Sequence, residues 1–352
     1  MSALAAPTAP RRGFTVPGAV RVVTGIAVTG AMFGWVVPAL AGARWSAIGE
    51  VLARVSTPQL AALALLWAAG LFAHSFVLTG GLPGLSRRRA LTLSLTGSAV
   101  SNVAPMGGAL GVGTNLAMIR AWRFRETAFA AFTIVTNIWD VLAKLLLPVI
   151  AIAALVLTGH ATGHLLRSTA AVASLLLLAV VIAILGALGS ERAATRTVDA
   201  LVRVLRLVLR GRGEKWLGSL TRSVLETRGA VRAVASRTWP QLTTGMGAYV
   251  LLQGALLWGC LHVVAADLPW YAVLTGFAVE RLLSLVVVTP GGTGTTEAGT
   301  VAALVALGGD PLTVAAGVLL YRGFIFLLEI PVGGVWLGGW FVARSRAVRV
   351  PG

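Results

Sequence analysis

The sequence contains little charge, few acidic residues and a single cysteine. Only 12% of its 352 residues are charged and 57% are hydrophobic, whereas an ordinary soluble domain carries about twice that charge. Cys260 alone cannot form an intrachain disulfide or a metal site built from several cysteines. The four histidines show no metal-ligand spacing such as HExxH. These shortages exclude a soluble α/β enzyme, and they predict neither a metal nor a cofactor.

Motifs of enzyme chemistry are missing as well. The stretch GGTGTTEAG, residues 291–299, is not followed by the Gly-Lys-Ser/Thr of a phosphate-binding loop. No predicted β-strand precedes it, as a dinucleotide-binding fold would require. No Ser, His and Asp residues have a spacing that favours a hydrolase triad. We therefore expect a transporter-like protein and not an enzyme.

Long apolar segments predict helices that cross a membrane, because about 20 apolar residues span the hydrocarbon core. Full spans are predicted near residues 20–40, 59–80, 127–157, 166–189, 240–265 and 312–342. Two further apolar segments, 91–119 and 271–308, are interrupted by glycine and proline at 104–113 and 289–299. These interruptions break the helices in the middle of both segments.

The distribution of basic residues decides whether the interrupted segments cross. The net charge is +17, and Lys and Arg accumulate on cytoplasmic loops. If both segments re-enter, the tails 1–19 and 343–352 and the basic loop 190–238 are all cytoplasmic. If both cross, most of the 29 basic residues are exported. We therefore predict an all-α integral membrane protein of a bacterial inner membrane, with six full spans, two broken re-entrant helical hairpins and no nucleic-acid partner.

The two interruptions also belong to an internal repeat. Gly107 and Gly108 recur as Gly291 and Gly292, each pair in a segment that follows two spans and precedes another. The first repeat, 20–158, begins inside and the second, 166–342, begins outside, so the topology is inverted. Transporters with such repeats bind substrate where broken helices meet near the midplane. Helix N-termini at the glycines would then offer N–H groups to an anion such as a lipid phosphate.

Ionisable side chains within apolar segments are candidates for function. Asp140 and Lys144 have the i, i+4 spacing of an intrahelical ion pair. Arg322 is expected to pair with an acid of the second interrupted segment, for example Glu297. The counted intramembrane charges contain one more acid than bases; they are Asp140, Lys144, Glu280, Arg281, Glu297, Arg322 and Glu329.

The stretches TPGGTGTTEAG (289–299) and LYRGFIFLLEIPVGG (320–334) resemble the C-terminal signature of the lysylphosphatidylglycerol synthase transmembrane-region family, also called the flippase-like domain. The matching residues are Pro290, Gly291, Gly292, Gly294, Glu297, Tyr321, Arg322 and Pro331. The first half is similar through Asn102, Pro105, Gly107 and Gly108. It departs from the commoner pattern, because Ala109 and the pair Asn137-Ile138 stand where charged residues are usual.

The resemblance implies lipid handling, with the matching residues of both halves lining the substrate site. We expect a translocase that moves a phospholipid or another lipid carrier between leaflets. One alternative is a membrane subunit that holds a lipid for a separate transferase, and another is a secondary transporter of small solutes. Because no aminoacyl-transferase domain accompanies the membrane part here, we expect no lipid aminoacylation by this chain alone.

Overall fold

The computed structural model describes residues 44–103, 107–160, 214–285 and 294–349, with a few isolated positions between 175 and 203, and these ranges contain no strand. The helices of the four ranges are α1 (Trp45–Ala53), α2 (Thr57–Gly81), α3 (Arg87–Val103), α4 (Gly107–Ala121), α5 (Glu126–Leu157), α6 (Glu214–Val263), α7 (Trp270–Leu283), α8 (Thr295–Ala306), α9 (Pro311–Arg322) and α10 (Glu329–Arg349). A π turn, Gly323–Leu327, joins α9 to α10.

Within the described residues, four stretches of helix are long and apolar enough to cross a membrane. They are Thr57–Gly81, Glu126–Leu157, Val231–Val263 and Pro311–Ser345. They coincide with four of the predicted spans, which supports an all-helical integral membrane protein. The other two predicted spans, 20–40 and 166–189, lie outside the described residues, so the number six remains a prediction.

Among the described helices, α2 and α6 have the most extensive contact, and they run antiparallel. Small residues let them approach, since a Cβ added to Gly245 would lie 3.1 Å from the backbone nitrogen of Val77. Two hydrogen bonds join the helices where they touch. Gln241 Nε2 donates to the Phe76 carbonyl at 3.1 Å, and Thr238 Oγ1 donates to the Gly80 carbonyl at 2.9 Å. Without a hydrophobic driving force in lipid, such close packing and polar contacts hold membrane helices together.

Both interrupted segments fold as antiparallel helical hairpins. In the first hairpin, α3–α4, a Cβ on Gly111 would lie 2.1 Å from Ser101 Oγ and 2.8 Å from the Gly97 carbonyl oxygen. In the second hairpin, α7–α8, a Cβ on Gly276 would lie 2.5 Å from Leu304 Cδ2. Each hairpin therefore returns the chain toward the end at which it began, which is the geometry a re-entrant segment needs.

Each hairpin packs against the last span of the other half. The first hairpin contacts α10 through α3, and the second contacts α5 through α7. The approach of α10 is close, because a Cβ on Gly333 would lie 2.1 Å from the Leu95 carbonyl oxygen. This reciprocity is what two related halves would produce, although the inverted repeat itself remains a prediction.

Part of the predicted cytoplasmic connection 190–238 is helical. Helix α6 begins at Glu214 and continues through Pro240 to Val263, and the cytoplasmic placement of the connection remains a prediction. The helix is prolonged because Val231 and Ala235 are buried, and Val231 packs with Val77 of α2 and Val135 of α5. The short helix α1, anchored by the buried Ile48, was not predicted.

Candidate functional site

A buried ion pair links the second hairpin to the last span. Arg322, the final residue of α9, donates from Nε to Glu297 Oε1 at 2.6 Å, and the two side chains are 10% and 1% exposed. This is the pairing that the sequence suggested. The other carboxylate oxygen of Glu297 accepts from the Gly294 backbone N–H at 2.6 Å. Glu297 thus caps the N-terminus of its own helix, where the helix dipole also favours an acid.

A second ion pair extends this network toward α6. Glu280 Oε2 accepts from Arg281 Nε at 2.5 Å, and Glu280 Oε1 lies 3.9 Å from Arg322 Nη1. Arg281 Nη2 donates to the Tyr321 hydroxyl at 2.6 Å, and that hydroxyl lies 3.4 Å from Gln253 Oε1. The polar groups of α6, α7, α8 and α9 are therefore joined in one chain of contacts.

The network has no net formal charge, because it contains two arginines and two glutamates, and each arginine lies against a glutamate. Glu280 is 2% exposed and Tyr321 is fully buried. Removing one partner of such a buried pair leaves an uncompensated charge, which typically costs about 3–5 kcal/mol. The network therefore fixes the second hairpin against α9, and both of its arginines already have carboxylate partners.

The remaining intramembrane charges lie outside this network. Lys144 Nζ bonds Asp140 Oδ2 at 2.7 Å within α5, as the spacing predicted. Glu329, in the first turn of α10, is 8% exposed and lies beside Ser98 and Trp67. In the part of the chain that the structure describes, no basic side chain reaches ion-pair distance of Glu329. Glu329 is thus the surplus acid of the charge count.

A polar cavity of about 290 Å³ lies at the first hairpin, between α2, α3, α4 and α5. Its hydrogen-bonding side chains are His74, Ser94, Ser98, Ser101, Asn102 and Asn115. The described lining contains no Lys, Arg, Asp or Glu. His74 Nδ1 lies 3.4 Å from Ser94 Oγ, and its ring faces Tyr249 of α6 with the centroids 4.7 Å apart. The described lining of the cavity therefore combines neutral polar side chains with apolar ones and contains no Lys, Arg, Asp or Glu.

Asn102 connects this cavity to the π turn. Its Nδ2 donates to the Phe326 carbonyl at 3.3 Å, so the end of α3 is tied to the irregular part of the last span. Turns of π-helix are frequent at functional sites, and this one begins immediately after Arg322. The π turn therefore lies between the charged network and the uncharged cavity.

An apolar groove of about 640 Å³ runs between α5, α6 and α7. Its wall includes Ile150, Leu251, Trp258 and Trp270, which are roughly half exposed or more. The groove reaches the charged network at Phe277, which lines it while its ring centroid lies 5.0 Å from Arg281 Cζ. Apolar and ionic surfaces thus meet at one side chain.

The structure brings together most of the residues that the sequence singled out. Glu280, Arg281, Glu297, Tyr321 and Arg322 form the network, with Gly294 at the cap. In the first half, Asn102 and Gly108 line the cavity, and Gly107 packs against the Ser101 backbone. The structure does not describe Pro105, Pro290, Gly291 or Gly292. Among the described residues, no three His, Cys, Asp or Glu side chains converge as metal ligands would.

Several polar residues of the site were missed from the sequence. Gln253 and His74 lie within apolar spans, and a polar side chain at such depth is a usable signal. Ser98 and Asn115 gave no comparable signal, because serine and asparagine are common at helix interfaces in membranes. Their convergence depends on the antiparallel packing of α3 on α4.

One family profile, described as Lysylphosphatidylglycerol synthase TM region, matches residues 22–333 of the chain. The match includes both hairpins, every residue of the charged network and the whole described lining of the cavity. No curated protein matches the chain.

Proposed function

The chain belongs to the lysylphosphatidylglycerol synthase TM-region family, and on this premise we propose that it is a lipid translocase. Membership indicates an integral membrane protein of lipid metabolism or transport. Within that class, we propose that this chain moves a phospholipid or another lipid carrier between leaflets. We place it in a bacterial inner membrane with both termini in the cytoplasm, since this orientation keeps most of its basic residues on the cytoplasmic side.

The contact between the apolar groove and the charged network at Phe277 carries this proposal. A lipid that changes leaflet needs a polar path for its headgroup and an apolar surface for its acyl chains. The groove offers aliphatic and aromatic walls on α7 and on α5 and α6, and both α5 and α6 contain stretches long and apolar enough to span a membrane. Directly behind Phe277 begin the buried polar contacts that run through Arg281 and Tyr321 to Gln253.

The charged network has a positioning role in this proposal. Arg322 and Arg281 are held by Glu297 and Glu280 at 2.6 Å and 2.5 Å. A lipid phosphate would have to displace a carboxylate from either arginine, at the cost of a buried unpaired charge. We therefore assign the network to holding the second hairpin in place, so that the groove lies against a fixed polar surface.

The test is lipid movement in liposomes that contain only the purified protein. Lipids labelled on the acyl chain are followed while a reagent quenches the label in the outer leaflet. We expect quenching to pass half of the total label. The variant Ile150→Trp fills the groove from a half-exposed position and should slow movement about tenfold, which corresponds to about 1.4 kcal/mol in the barrier.

The matched control is Val156→Trp, an exposed position on the same helix that does not line the groove. It should leave the rate near that of the unmodified protein. Quenching that stops at half for every lipid would overturn translocation by this chain alone and would favour a membrane subunit that serves a separate transferase. Equal rates for the two tryptophan variants would remove the groove from the path.

A further inference from the structure

Glu329 is a buried acid whose charge is not balanced within the described structure. It is 8% exposed in the first turn of α10, and no described basic side chain reaches ion-pair distance of it. The charged or titratable side chains of other helices within electrostatic range of it are Tyr249 of α6, Arg281 of α7 and Arg322 of α9. The two arginines are already held by Glu280 and Glu297. An ionised Glu329 would therefore be a surplus charge at membrane depth, which is costly.

The immediate neighbours of Glu329 suit both forms of its carboxyl group. Ser98 of α3 lies beside it, and a hydroxyl can donate to an ionised carboxylate or accept from a protonated one. Trp67 of α2, its other polar neighbour, has a buried Nε1–H without a well-formed hydrogen bond. An indole N–H only donates, so it is available to the ionised form. Glu329 can therefore gain and lose a proton without losing all of its partners.

A line of polar side chains leads from Glu329 to the cavity at the first hairpin. Ser98 lines that cavity together with Ser94 and His74. Ser94 and Ser98 are one helical turn apart on α3, so they share a face, and Ser94 Oγ lies 3.4 Å from His74 Nδ1. Glu329 itself does not line the cavity. Hydroxyl and imidazole groups both donate and accept hydrogen bonds, so they can pass a proton where no larger group can enter.

The same geometry is unfavourable for a larger cation. A cationic headgroup in the cavity would meet Ser98 before it met the carboxyl group of Glu329, which is almost entirely covered. A hard metal ion needs about six oxygen ligands, and the described residues contain no cluster of three His, Cys, Asp or Glu that could hold one. A proton needs only one acceptor and a hydrogen-bonded approach. The geometry therefore favours proton binding.

We propose that Glu329 is the proton-binding residue of a proton-coupled translocase, and that the proton reaches it from the cavity at the first hairpin through Ser98. The proton binds to one carboxylate oxygen of Glu329 and leaves that oxygen again in each cycle, so no other reactant is needed. This proposal rests on the proposed translocase function, because it assigns the driving force of that function. Acids within membrane helices form the proton relays of pumps and transporters.

Proton binding is tested without transport, on the full chain in phosphatidylcholine nanodiscs. Infrared difference spectra between acidic and alkaline buffer report the C=O band of a carboxyl group that is protonated in an apolar surrounding. We expect such a band, and we expect Glu329→Gln to remove it. The control is Glu126→Gln, which removes an exposed acid and should leave the band unchanged. Absence of the band from the unmodified protein, or its survival in Glu329→Gln, would overturn the assignment.

Coupling is tested in liposomes under a proton gradient of about tenfold, with the membrane potential held at zero by potassium and an ionophore. The probe is phosphatidylglycerol labelled on its acyl chain, and the fast phase of quenching measures its share in the outer leaflet. One proton per lipid would shift the ratio of label between the leaflets by up to about tenfold, since such a gradient stores about 1.4 kcal/mol. Glu329→Gln should abolish this shift, and Glu329→Asp, which retains a carboxyl group, should preserve it.

The route of the proton is tested by removing one hydroxyl group. Ser98→Ala should slow the shift several-fold, because it interrupts the link between Glu329 and the cavity. The control is Thr114→Val, since Thr114 Oγ1 bonds to the Leu110 carbonyl of its own helix and does not line the cavity. Equal rates in these two variants would overturn the route through Ser98.

The outcomes separate this proposal from the translocase itself. If no lipid moves but the infrared band is present and is lost in Glu329→Gln, the translocase is overturned and the proton site stands. Lipid movement that does not respond to the proton gradient would overturn the coupling and leave the translocase. A shift driven by a sodium gradient at equal pH would identify sodium as the coupling ion and would overturn the proton assignment.

Discussion

The two hairpins share one shape but bury their polar groups differently. The first is packed through glycine, serine and asparagine and borders an open cavity whose described lining has no Lys, Arg, Asp or Glu. The second is held by two ion pairs that leave both arginines with carboxylate partners. Ion pairs in an apolar interior must be complete because an unpaired charge is costly, whereas a neutral polar cavity tolerates a missing partner at lower cost. We infer that the second hairpin is the fixed wall and the first is the side that accepts a ligand.

The largest expected effect comes from breaking the buried ion pair of the charged network. Glu297→Gln leaves Arg322 without its carboxylate and weakens the cap on Gly294, so we expect a loss of about 3–5 kcal/mol in the free energy of unfolding. Thermal unfolding of the purified protein, followed by tryptophan fluorescence, measures this loss. The matched control is Glu126→Gln, which breaks the exposed pair with Arg120 and should cost about 1 kcal/mol or less.

Equal losses for the two glutamine variants would show that the buried pair is no more important than the exposed one. Exchanging the charges, with Glu297→Arg and Arg322→Glu, should restore the protein only in part. The N-terminus of α8 favours an acid and disfavours a base, and an arginine cannot accept the Gly294 N–H.

A smaller effect is expected from crowding the first hairpin. Gly111→Ala puts a Cβ 2.1 Å from Ser101 Oγ and 2.8 Å from the Gly97 carbonyl oxygen, so α3 and α4 must separate. Such overpacking typically costs about 1–3 kcal/mol. The control is Gly113→Ala, two residues further along α4, where an added Cβ meets nothing within 4 Å. The same unfolding assay applies, and a Gly111 variant as stable as the control would contradict the close packing.

The smallest effect is expected from Glu329→Gln. This acid is as buried as Arg322, because each residue taken as a whole is 8% exposed, yet its removal leaves no described cation without a partner. We expect a change of about 1 kcal/mol or less, since an amide can still hydrogen-bond to neutral neighbours such as Ser98. A loss as large as that of Glu297→Gln would show that Glu329 belongs to the ionic framework and would weaken the contrast between the halves.

The sequence predicted those parts of the site that depend on spacing within one segment. The Asp140–Lys144 pair followed from a single helical turn, and the glycine and proline at 104–113 and 289–299 predicted where the two interrupted segments break. The contact between Tyr321 and Gln253 was not predictable, because it depends on how α6 lies against α9. The early start of α6 at Glu214 was not predictable either, because it depends on the packing of Val231 and Ala235 against other helices.

The π turn of the last span has a mechanical consequence. A π turn inserts one residue relative to a regular α-helix, which rotates everything beyond it by about 100°. The face of α9 that carries Arg322 is therefore decoupled from the face of α10 that packs on α3. The last span therefore has two separate attachments. Its first part, α9, is held by the ion pair of Arg322 with Glu297, and its second part, α10, packs against the first hairpin through α3. The hydrogen bond from Asn102 Nδ2 to the Phe326 carbonyl ties this turn to the end of α3.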